Sequence, residues 1–438
     1  MKQLTEKEIN LEMDELENVK NDSNRYHIVM KKLKAKRKKK ETLIVQDDKG
    51  GIAGNDEEKA RLISEYFQNV LAPEGMETNK NYPSCGMTVP FTKDEIEKAA
   101  KSLKNGKSVG IDNLTAEHIK YAPPIIHQNI ANIFNDIAEN GSAPEELTTG
   151  ILAPLQKPPP KKKGPRENLR PIMLLSVIRK LLTICLIKRT WERIATNIPV
   201  DQAAYQAGRS TTEQVFTAKI LIEKAITSSN FKLYMILLDM SKAFDTVDRK
   251  ILFQNLEKIL LPEELHLFSI LTQKPKIKVR INNSYSESFW TFVGILQGDC
   301  LSAILFIYYL ACCLKNEKNI INSQNLLFTP KYADDITYIT DDKENLKTIE
   351  ECIPELLSQY NLKINNAKTE KYEIPKPPPP PTMETLIKHK FDKPIWSDLD
   401  WLIKYKPSPV KDKTPDQNSA NYYVASWIQK MTLTEEKH

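Results

Sequence analysis

The most informative absence in this sequence is that of a Cys-x-x-Cys spacing among its six cysteines. Without it we expect neither a disulfide framework nor a zinc knuckle, and a reducing interior fits the composition. The N-terminal segment is polar and has no apolar core, so we expect no secretory signal. The longest apolar stretch, residues 301–314, is too short to cross a bilayer and is typical of a buried helix. We therefore expect no membrane partner.

The charge of the chain is nearly balanced overall but unevenly distributed. Lys and Arg number 63 against 57 acidic residues, a formal net charge of +6 over 438 residues. Eight of the ten residues in 31–40 are Lys or Arg, and 161–163 form a second basic run. Clustered positive charge is typical of nucleic-acid binding, although a solvated arm explains either run equally well. Such a run also serves nuclear import, so the expected location is the nucleus, the cytoplasm or both.

Carboxylates stand at two informative places in the central part of the chain. Residues 233–238 are an unbroken apolar run that ends in Asp239, which predicts a strand buried on both faces with a carboxylate at its end. Asp334 and Asp335 form an acidic pair on a tight turn between two short β-like runs.

Each carboxylate has an ordinary structural interpretation when it is taken alone. Asp is favoured in turns, and Asp239 is also suited to cap a helix beginning near Lys242. Together the three suit hard divalent cations, and nucleotidyl transfer uses two such ions about 3.5–4 Å apart.

Five sequence blocks occur in an order that resembles the reverse transcriptase of non-LTR (LINE-type) retrotransposons. The resemblance covers roughly residues 90–375. The blocks are NLRPIMLLS at 168–176, LDMSKAFDTV at 238–247, GILQGDCLS at 294–302, YADD at 332–335 and NAKT at 366–369.

The resemblance implies roles for individual residues. Asp239, Asp334 and Asp335 match the metal-binding triad, with two Mg²⁺ ions expected and Mn²⁺ as an alternative. Phe244 matches the steric gate that favours dNTPs over rNTPs, and it is also compatible with a core aromatic. Lys368 matches the proposed proton donor to pyrophosphate, with a surface charge as the alternative.

Further positions match segments that contact the nucleotide or the template. Gln297 and Gly298 match the motif that packs under the template base and the incoming nucleotide, where glycine lets backbone approach the ligand closely. Arg170 matches a basic residue that bears on the triphosphate, although pairing with a carboxylate explains it nearly as well. The template-contacting segment is matched by Gln206, Gly208, Arg209 and Ser210.

The fold implied by the resemblance is an α+β right-hand polymerase with an antiparallel-sheet palm and helical fingers. We expect a basic helical N-terminal extension at 1–89, fingers and the start of the palm at 90–232, and the palm at 233–374. The Pro-rich linker and tail at 375–438 would be a thumb remnant, so that the thumb is short or degraded. Two departures from the family pattern are Ala303 in place of Pro and Arg249 in place of His, and we attach little meaning to the second.

The function implied is RNA-directed DNA polymerase activity, in which dNTPs extend a DNA primer on an RNA template. An endonuclease would have to be supplied elsewhere, because residues 1–90 are too few for a nicking domain and no cysteine follows Cys352. One alternative is a catalytically inactive nucleic-acid-binding remnant of a retroelement. An RNA-dependent RNA polymerase is disfavoured by the bulk of Phe244, and a scaffolding protein gives no reason for the three carboxylates.

Overall fold

The structure, a computed structural model, describes residues 43–75, 80–158, 161–228, 231–321 and 326–374. The chain divides into two units. The smaller unit contains the described residues of Met1–Asn55 and Gln156–Arg170, and the larger unit those of Asp56–Leu155 and Pro171–His438. The basic run at 31–40, the Pro-rich linker and the predicted thumb remnant lie outside the described residues.

The smaller unit is held together by pairing between its two chain segments. Val45 forms a parallel bridge with Gly164. An ion pair between Arg166 and Asp48 also joins the segments.

The described residues form α-helices and two short 3₁₀ turns. Short 3₁₀ turns occur at Arg166–Asn168 and Ala243–Thr246. The α-helices are α1 (Asp56–Leu71), α2 (Lys93–Ser102), α3 (Ala116–Lys120), α4 (Pro124–Asn140), α5 (Glu145–Thr148), α6 (Val177–Ala195), α7 (Thr211–Thr227), α8 (Arg249–Leu256), α9 (Pro262–Thr272), α10 (Cys300–Cys313), α11 (Glu317–Ile320) and α12 (Lys343–Ser358).

The strands form one mixed sheet and one antiparallel sheet. In the first sheet the order is β2-β1-β4-β5, with β1 parallel to β4 and β4 antiparallel to β5. In the second the order is β6-β8-β3-β9, and β7 also pairs with β8. This arrangement confirms the predicted α+β class. The strands are β1 (Thr149–Gln156), β2 (Leu169–Leu174), β3 (Leu233–Leu238), β4 (Lys276–Ile281), β5 (Ser284–Trp290), β6 (Leu326–Phe328), β7 (Lys331–Tyr332), β8 (Asp335–Thr340) and β9 (Glu370–Ile374).

The central strand β3 is buried on both faces, as the apolar run predicts. Alternate side chains enter different cores because successive residues of a strand point to opposite faces. Ile236 and Leu238 belong to the main core, which includes α8, α9, α10 and α12. Met235 and Leu237 pack in a second cluster with residues of α7. A strand enclosed in this way fixes the position of whatever follows it, and Asp239 follows it directly.

The apolar stretch at 301–314 is the buried helix that the sequence predicts. Helix α10 is capped by Asp299, whose carboxylate accepts the backbone N–H of Leu301 at 3.2 Å. No helix in the described part of the chain is both long and apolar enough to span a membrane.

After Asp239, the helical spacing of Ala243, Phe244, Val247, Ile251 and Leu252 predicts a regular helix, and the structure differs from that prediction. Lys242 adopts a left-handed φ of 50°, and the chain then forms the 3₁₀ turn Ala243–Thr246 before α8 begins. Asp248 caps α8 by accepting the Ile251 N–H at 3.1 Å. Helix capping by Asp239, the alternative to metal binding, is therefore wrong for this chain.

Candidate catalytic site

Strand pairing brings Asp239, Asp334 and Asp335 to the same end of the antiparallel sheet. Leu238 of β3 lies opposite Ile336 of β8, so Asp239 and Asp335 occupy the next positions along the two strands. Asp335 also pairs with Tyr332 of β7, which leaves Ala333 and Asp334 as the turn of the hairpin. Residues almost a hundred positions apart in the sequence thus meet through the register of one strand pair.

The hairpin turn is held by a side chain that the sequence analysis missed. Ala333 is buried and has a φ of 54°, a left-handed conformation that is costly for a residue with a Cβ. The buried amide of Gln202 donates to the Ala333 carbonyl at 3.3 Å, and its Oε1 accepts the Ala333 N–H at 3.0 Å. Both backbone groups of the strained residue are therefore satisfied. No local pattern marks Gln202, because its partner lies 131 residues away.

A buried ion cluster lies directly behind the turn, at Lys331. The Lys331 ammonium is 3.1 Å from the Asp201 carboxylate and 2.7 Å from that of Glu317. Glu317 also accepts a hydrogen bond from the Tyr338 hydroxyl at 2.6 Å. Burial and the nearby Glu317 carboxylate raise the pKa of Tyr338 well above its ordinary value, so the hydroxyl stays a donor. Strands β7 and β8 are thereby fixed to the chain around residue 201.

The electrostatics of the turn favour a bound cation. Burial raises the pKa of Asp334 from 3.8 to about 7, with further contributions from the charges of Asp335 and Asp239. The Lys368 ammonium lies 2.8 Å from the Asp239 carboxylate. Its positive charge lowers the pKa of Asp334 and so partly opposes these effects. Repulsion among fixed carboxylates is relieved by any cation placed between them.

The three carboxylates supply the oxygen ligands that hard divalent cations take in proteins. Among the residues that the structure describes, no three His, Cys, Asp or Glu side chains already converge on one ion position. Asp239 is instead engaged by Lys368, with which a divalent cation would compete. The donor chemistry and the raised pKa of Asp334 fit such an ion.

The side chain of Phe244 packs against the core but stays partly exposed to solvent. Its ring stacks on Phe306 of α10 with centroids 4.3 Å apart and an interplanar angle of 18°. The Phe244 carbonyl accepts the Ile295 N–H at 2.9 Å. The two interpretations given above are therefore compatible, since the stack anchors a ring that is only half-buried.

The neighbouring Lys242 contacts a residue of α1 that the sequence analysis did not single out. Its ammonium donates to the Tyr66 hydroxyl oxygen at 2.8 Å and lies 5.1 Å from the centre of the Tyr66 ring. Helix α1 thus reaches the loop that connects Asp239 to Phe244.

Gln297 and Gly298 lie on a loop that packs closely against strand β2. The Gln297 amide donates to the Asp245 carboxylate at 2.9 Å, and its carbonyl accepts the Met173 N–H at 2.8 Å. Gly298 has a φ of 109°, and a Cβ there would lie 2.8 Å from the Met173 carbonyl oxygen. Glycine was expected here for close approach to a ligand, whereas in the structure the close approach is to the backbone of Met173.

Two buried arginines hold the two ends of this loop. Arg249 donates to the carbonyls of Gly294, Gln273, Thr291 and Val293 and to the Thr291 hydroxyl, at 2.6–3.0 Å. Burial lowers the pKa of its guanidinium to about 9, with a smaller effect of Arg179. Arg179 forms a buried ion pair with Asp299 at 2.7 Å. Arg249, to which the sequence comparison attached little meaning, is therefore important, because its side chain closes the loop.

The predicted template-contacting residues follow the Gln202 segment. Gln206 donates to the Gln202 carbonyl, and Arg209 pairs with Glu213 and donates to the Val200 carbonyl. No atom lies within 4 Å of where a Cβ on Gly208 would stand. Ser210 precedes α7 without a side-chain capping bond.

Arg170 is half-buried in β2 and belongs to the smaller unit. Its predicted contact with the triphosphate stays a prediction.

The chain is similar to known proteins in both sequence and structure. A sequence model of the family described as "Reverse transcriptase (RNA-dependent DNA polymerase)" matches residues 159–407, more than half of the chain. The Transposon TX1 uncharacterized 149 kDa protein of Xenopus laevis is 24% identical over 406 residues, which cover 87% of this chain and 30% of that protein. The probable RNA-directed DNA polymerase from transposon BS of Drosophila melanogaster is 26% identical over 349 residues, covering 73% and 37%. This chain therefore spans about a third of the length of these relatives.

Solved structures give a more distant likeness. A telomerase from Candida tropicalis in complex with a TWJ fragment of telomeric RNA has a TM-score of 0.41 and 15% identity, covering 52% of this chain and 41% of that one. The apo telomerase from the same organism has a TM-score of 0.40 and 15% identity, covering 51% and 44%.

We predict that Asp334→Asn stabilises the metal-free protein at pH 8 by about 1 kcal/mol, or a melting temperature higher by roughly 2–4 °C. The ordinary pKa of 3.8 applies to the unfolded chain and a pKa of about 7 to the folded one, so the charged carboxyl costs stability increasingly as the pH rises between these values. The gain should therefore vanish near pH 4.

Thermal unfolding at both pH values, with and without Mg²⁺, measures this effect. Mg²⁺ should stabilise the wild type at pH 8 more than the variant. Asp341→Asn, at an exposed carboxylate beyond the far end of β8, is the matched control and should change neither value. A variant less stable than the wild type at pH 8 would contradict the prediction.

A second prediction concerns the arginine that closes the loop. Arg249→Lys should lower the free energy of unfolding by about 2–4 kcal/mol, because an ammonium has three donors and leaves buried carbonyls without partners. Arg61→Lys, in an exposed ion pair with Glu65, should change it by less than about 0.5 kcal/mol. Urea unfolding of both variants decides the matter, and equal small losses would show that Arg249 does not hold the loop.

Proposed function

This chain belongs to the reverse transcriptase family, and on that premise we propose that it is the RNA-directed DNA polymerase of a non-LTR retroelement. Matched relatives include proteins of the TX1, BS, jockey and R2 elements. In this proposal the chain extends a DNA primer on an RNA template with dNTPs. The observation that carries it is the pairing of β3 with β8, which puts Asp239, Asp334 and Asp335 at one end of the sheet.

Dependence on divalent metal ions is general in this family. Here Asp239, Asp334 and Asp335 would hold two Mg²⁺ ions, with Mn²⁺ as a substitute. When bound, the ions supply activation of the primer hydroxyl and stabilisation of charge on the phosphates. The buried turn contributes by keeping the carboxylates fixed, so that little reorganisation is needed when the substrate arrives.

In this proposal Lys368 has two roles, as an ion-pair partner of Asp239 and as a proton donor. In the structure its ammonium is a partner of Asp239. If Asp239 held a cation instead, the Lys368 ammonium would be freed beside the site and could donate a proton to the departing pyrophosphate. Its side chain is about half exposed, which leaves it room to make that change.

The remaining assignments concern substrate selection and positioning. Phe244, fixed against Phe306, would lie beneath the sugar and clash with a 2′-hydroxyl. Gln297 and Gly298 would pack against the nascent base pair, on a loop that Arg249 and Asp299 hold in place. Arg170 would contact the triphosphate, and Gln206, Gly208 and Arg209 would contact the template.

Primer extension on an RNA template tests the proposal directly. The wild type should incorporate dNTPs in the presence of Mg²⁺, and Asp239→Asn or Asp334→Asn should reduce incorporation by about 10³-fold or more, because each change removes a ligand that positions charge-stabilising ions. Asp341→Asn is again the matched control and should retain full activity. Absence of dNTP incorporation by folded wild-type protein would favour the inactive, nucleic-acid-binding remnant.

The steric gate gives an independent prediction. Phe244→Val should raise the efficiency of rNTP relative to dNTP incorporation by roughly tenfold or more, because the space for a 2′-hydroxyl is opened. Loss of the stack on Phe306 should also lower stability. We therefore measure the ratio of the two kcat/KM values, in which a general loss of folded enzyme cancels. Equal use of both sugars by the wild type would instead support an RNA polymerase.

A further inference from the structure

Strands β4 and β5 form an edge ribbon with one buried and one open face. Ile277, Val279 and Ile281 alternate with charged residues along β4, and these three apolar side chains are buried. Helix α1 lies against the ribbon. On β5, Tyr285 and Trp290 remain 47% exposed. The open face is therefore available to a partner, and we call it the β4–β5 face, made up of Lys276, Lys278, Arg280, Ser288, Tyr285 and Trp290.

Basic and aromatic side chains face each other across this ribbon. Lys276 lies opposite Trp290 in the strand register, with its ammonium 5.2 Å from the ring. Arg280 lies opposite Tyr285, and the ammonium of Lys278 is 5.3 Å from the Tyr285 ring. The next lysine outward, Lys274, repeats the contact at 6.0 Å from Phe292. A regular alternation of cations and rings thus runs along the ribbon.

The net charge of the face is positive. Lys276 is paired with Glu145 at 2.7 Å, and Glu287 is an exposed acid of β5. Lys278 and Arg280 have no carboxylate within ion-pair distance in the described part of the chain. The surface is therefore complementary to a polyanion, and two cations on one strand are free to meet it.

The basic side chains of β4 alone have a simpler explanation, because charged residues are common on the solvated face of a sheet. That explanation does not account for a half-exposed tryptophan and tyrosine on the edge strand β5, since large rings are unfavourable on a face that only needs to stay solvated. Exposed rings beside cations are instead the combination by which proteins bind single-stranded nucleic acid, where bases stack and the backbone meets positive charge. Alternate residues of a strand recur every ~6.8 Å, which presents the cations as an extended row.

We propose that the β4–β5 face binds single-stranded RNA, with bases stacked on Trp290 and Tyr285 and phosphates held by Lys278 and Arg280. A duplex hides its base faces, so the exposed rings select single strands. The choice of RNA over DNA rests on the proposed function, in which the unpaired template is RNA. The stacking and the charge complementarity depend on the structure alone.

The test measures binding of a labelled, unstructured 15-nucleotide RNA to the full chain in EDTA without dNTPs, so that the result does not depend on catalysis. The double variant Trp290→Ala/Tyr285→Ala should bind about tenfold more weakly or worse, the loss expected when stacked bases lose their rings. Trp290→Phe/Tyr285→Phe should restore most of the affinity. Phe216→Ala and Tyr121→Ala, at aromatic side chains 63% and 72% exposed elsewhere, are matched controls that should bind normally.

The cations are tested separately by the salt dependence of binding. Lys278→Ala/Arg280→Ala should make the slope of log K against log salt shallower by about 1.4, because each phosphate contact on a single strand contributes roughly 0.7. Unchanged affinity of the aromatic variant, an equal loss with duplex RNA of the same sequence, tighter binding of single-stranded DNA, or an unchanged salt slope would overturn the proposal. If the wild type fails to extend a primer but these RNA-binding losses occur, the β4–β5 face stands and the polymerase proposal falls.

Discussion

Repulsion among three carboxylates at one end of an antiparallel sheet is the constraint around which the larger unit is built. Burial and neighbouring charges raise the pKa of Asp334 to about 7, so the site is costly to maintain without a cation. Gln202 satisfies the backbone of the left-handed turn, and the buried Lys331 cluster fixes the strands behind it. The stability lost at the turn is thereby offset by contacts outside it, as expected where function requires strain.

The loop that contains Gln297 is also held in place by a buried charged side chain, as the strands behind the turn are held by Lys331. It has few regular strand or helix hydrogen bonds, so its carbonyl groups need partners from elsewhere. Arg249 supplies donors in a fixed planar geometry, and no carboxylate among the described residues forms an ion pair with it. Arg179 fixes the far end through Asp299, which also caps α10. Because both arginines are buried, salt screens their interactions with the loop only weakly.

Local sequence patterns predict the parts of the site that depend on periodicity. The apolar run ending at Asp239, the acidic hairpin and the helix at 301–314 each correspond to an element of the structure. The roles of Gln202 and Arg249 were not predicted, because their contacts join segments far apart in the chain. No spacing of apolar residues encodes such a contact. The 3₁₀ turn after Asp239 was not predicted either. The apolar residues there have helical spacing, but Lys242 adopts a left-handed backbone conformation that interrupts the helix. The sequence patterns therefore predict the helices and strands. The contacts that fix these elements relative to one another come from single polar residues, which the patterns do not reveal.

Helix α1 shows why the shared motifs alone do not define the working structure. It lies outside the family-matched residues 159–407. Its last carbonyl, at Leu71, accepts the backbone N–H groups of Phe292 and Val293 at 2.8 and 3.1 Å. Tyr66 holds Lys242 in the loop after Asp239, and the helix lies against β4 and β5. This one helix therefore supports the loop near Gln297, the loop near Phe244 and the proposed RNA-binding face, so a change in its packing would affect all three.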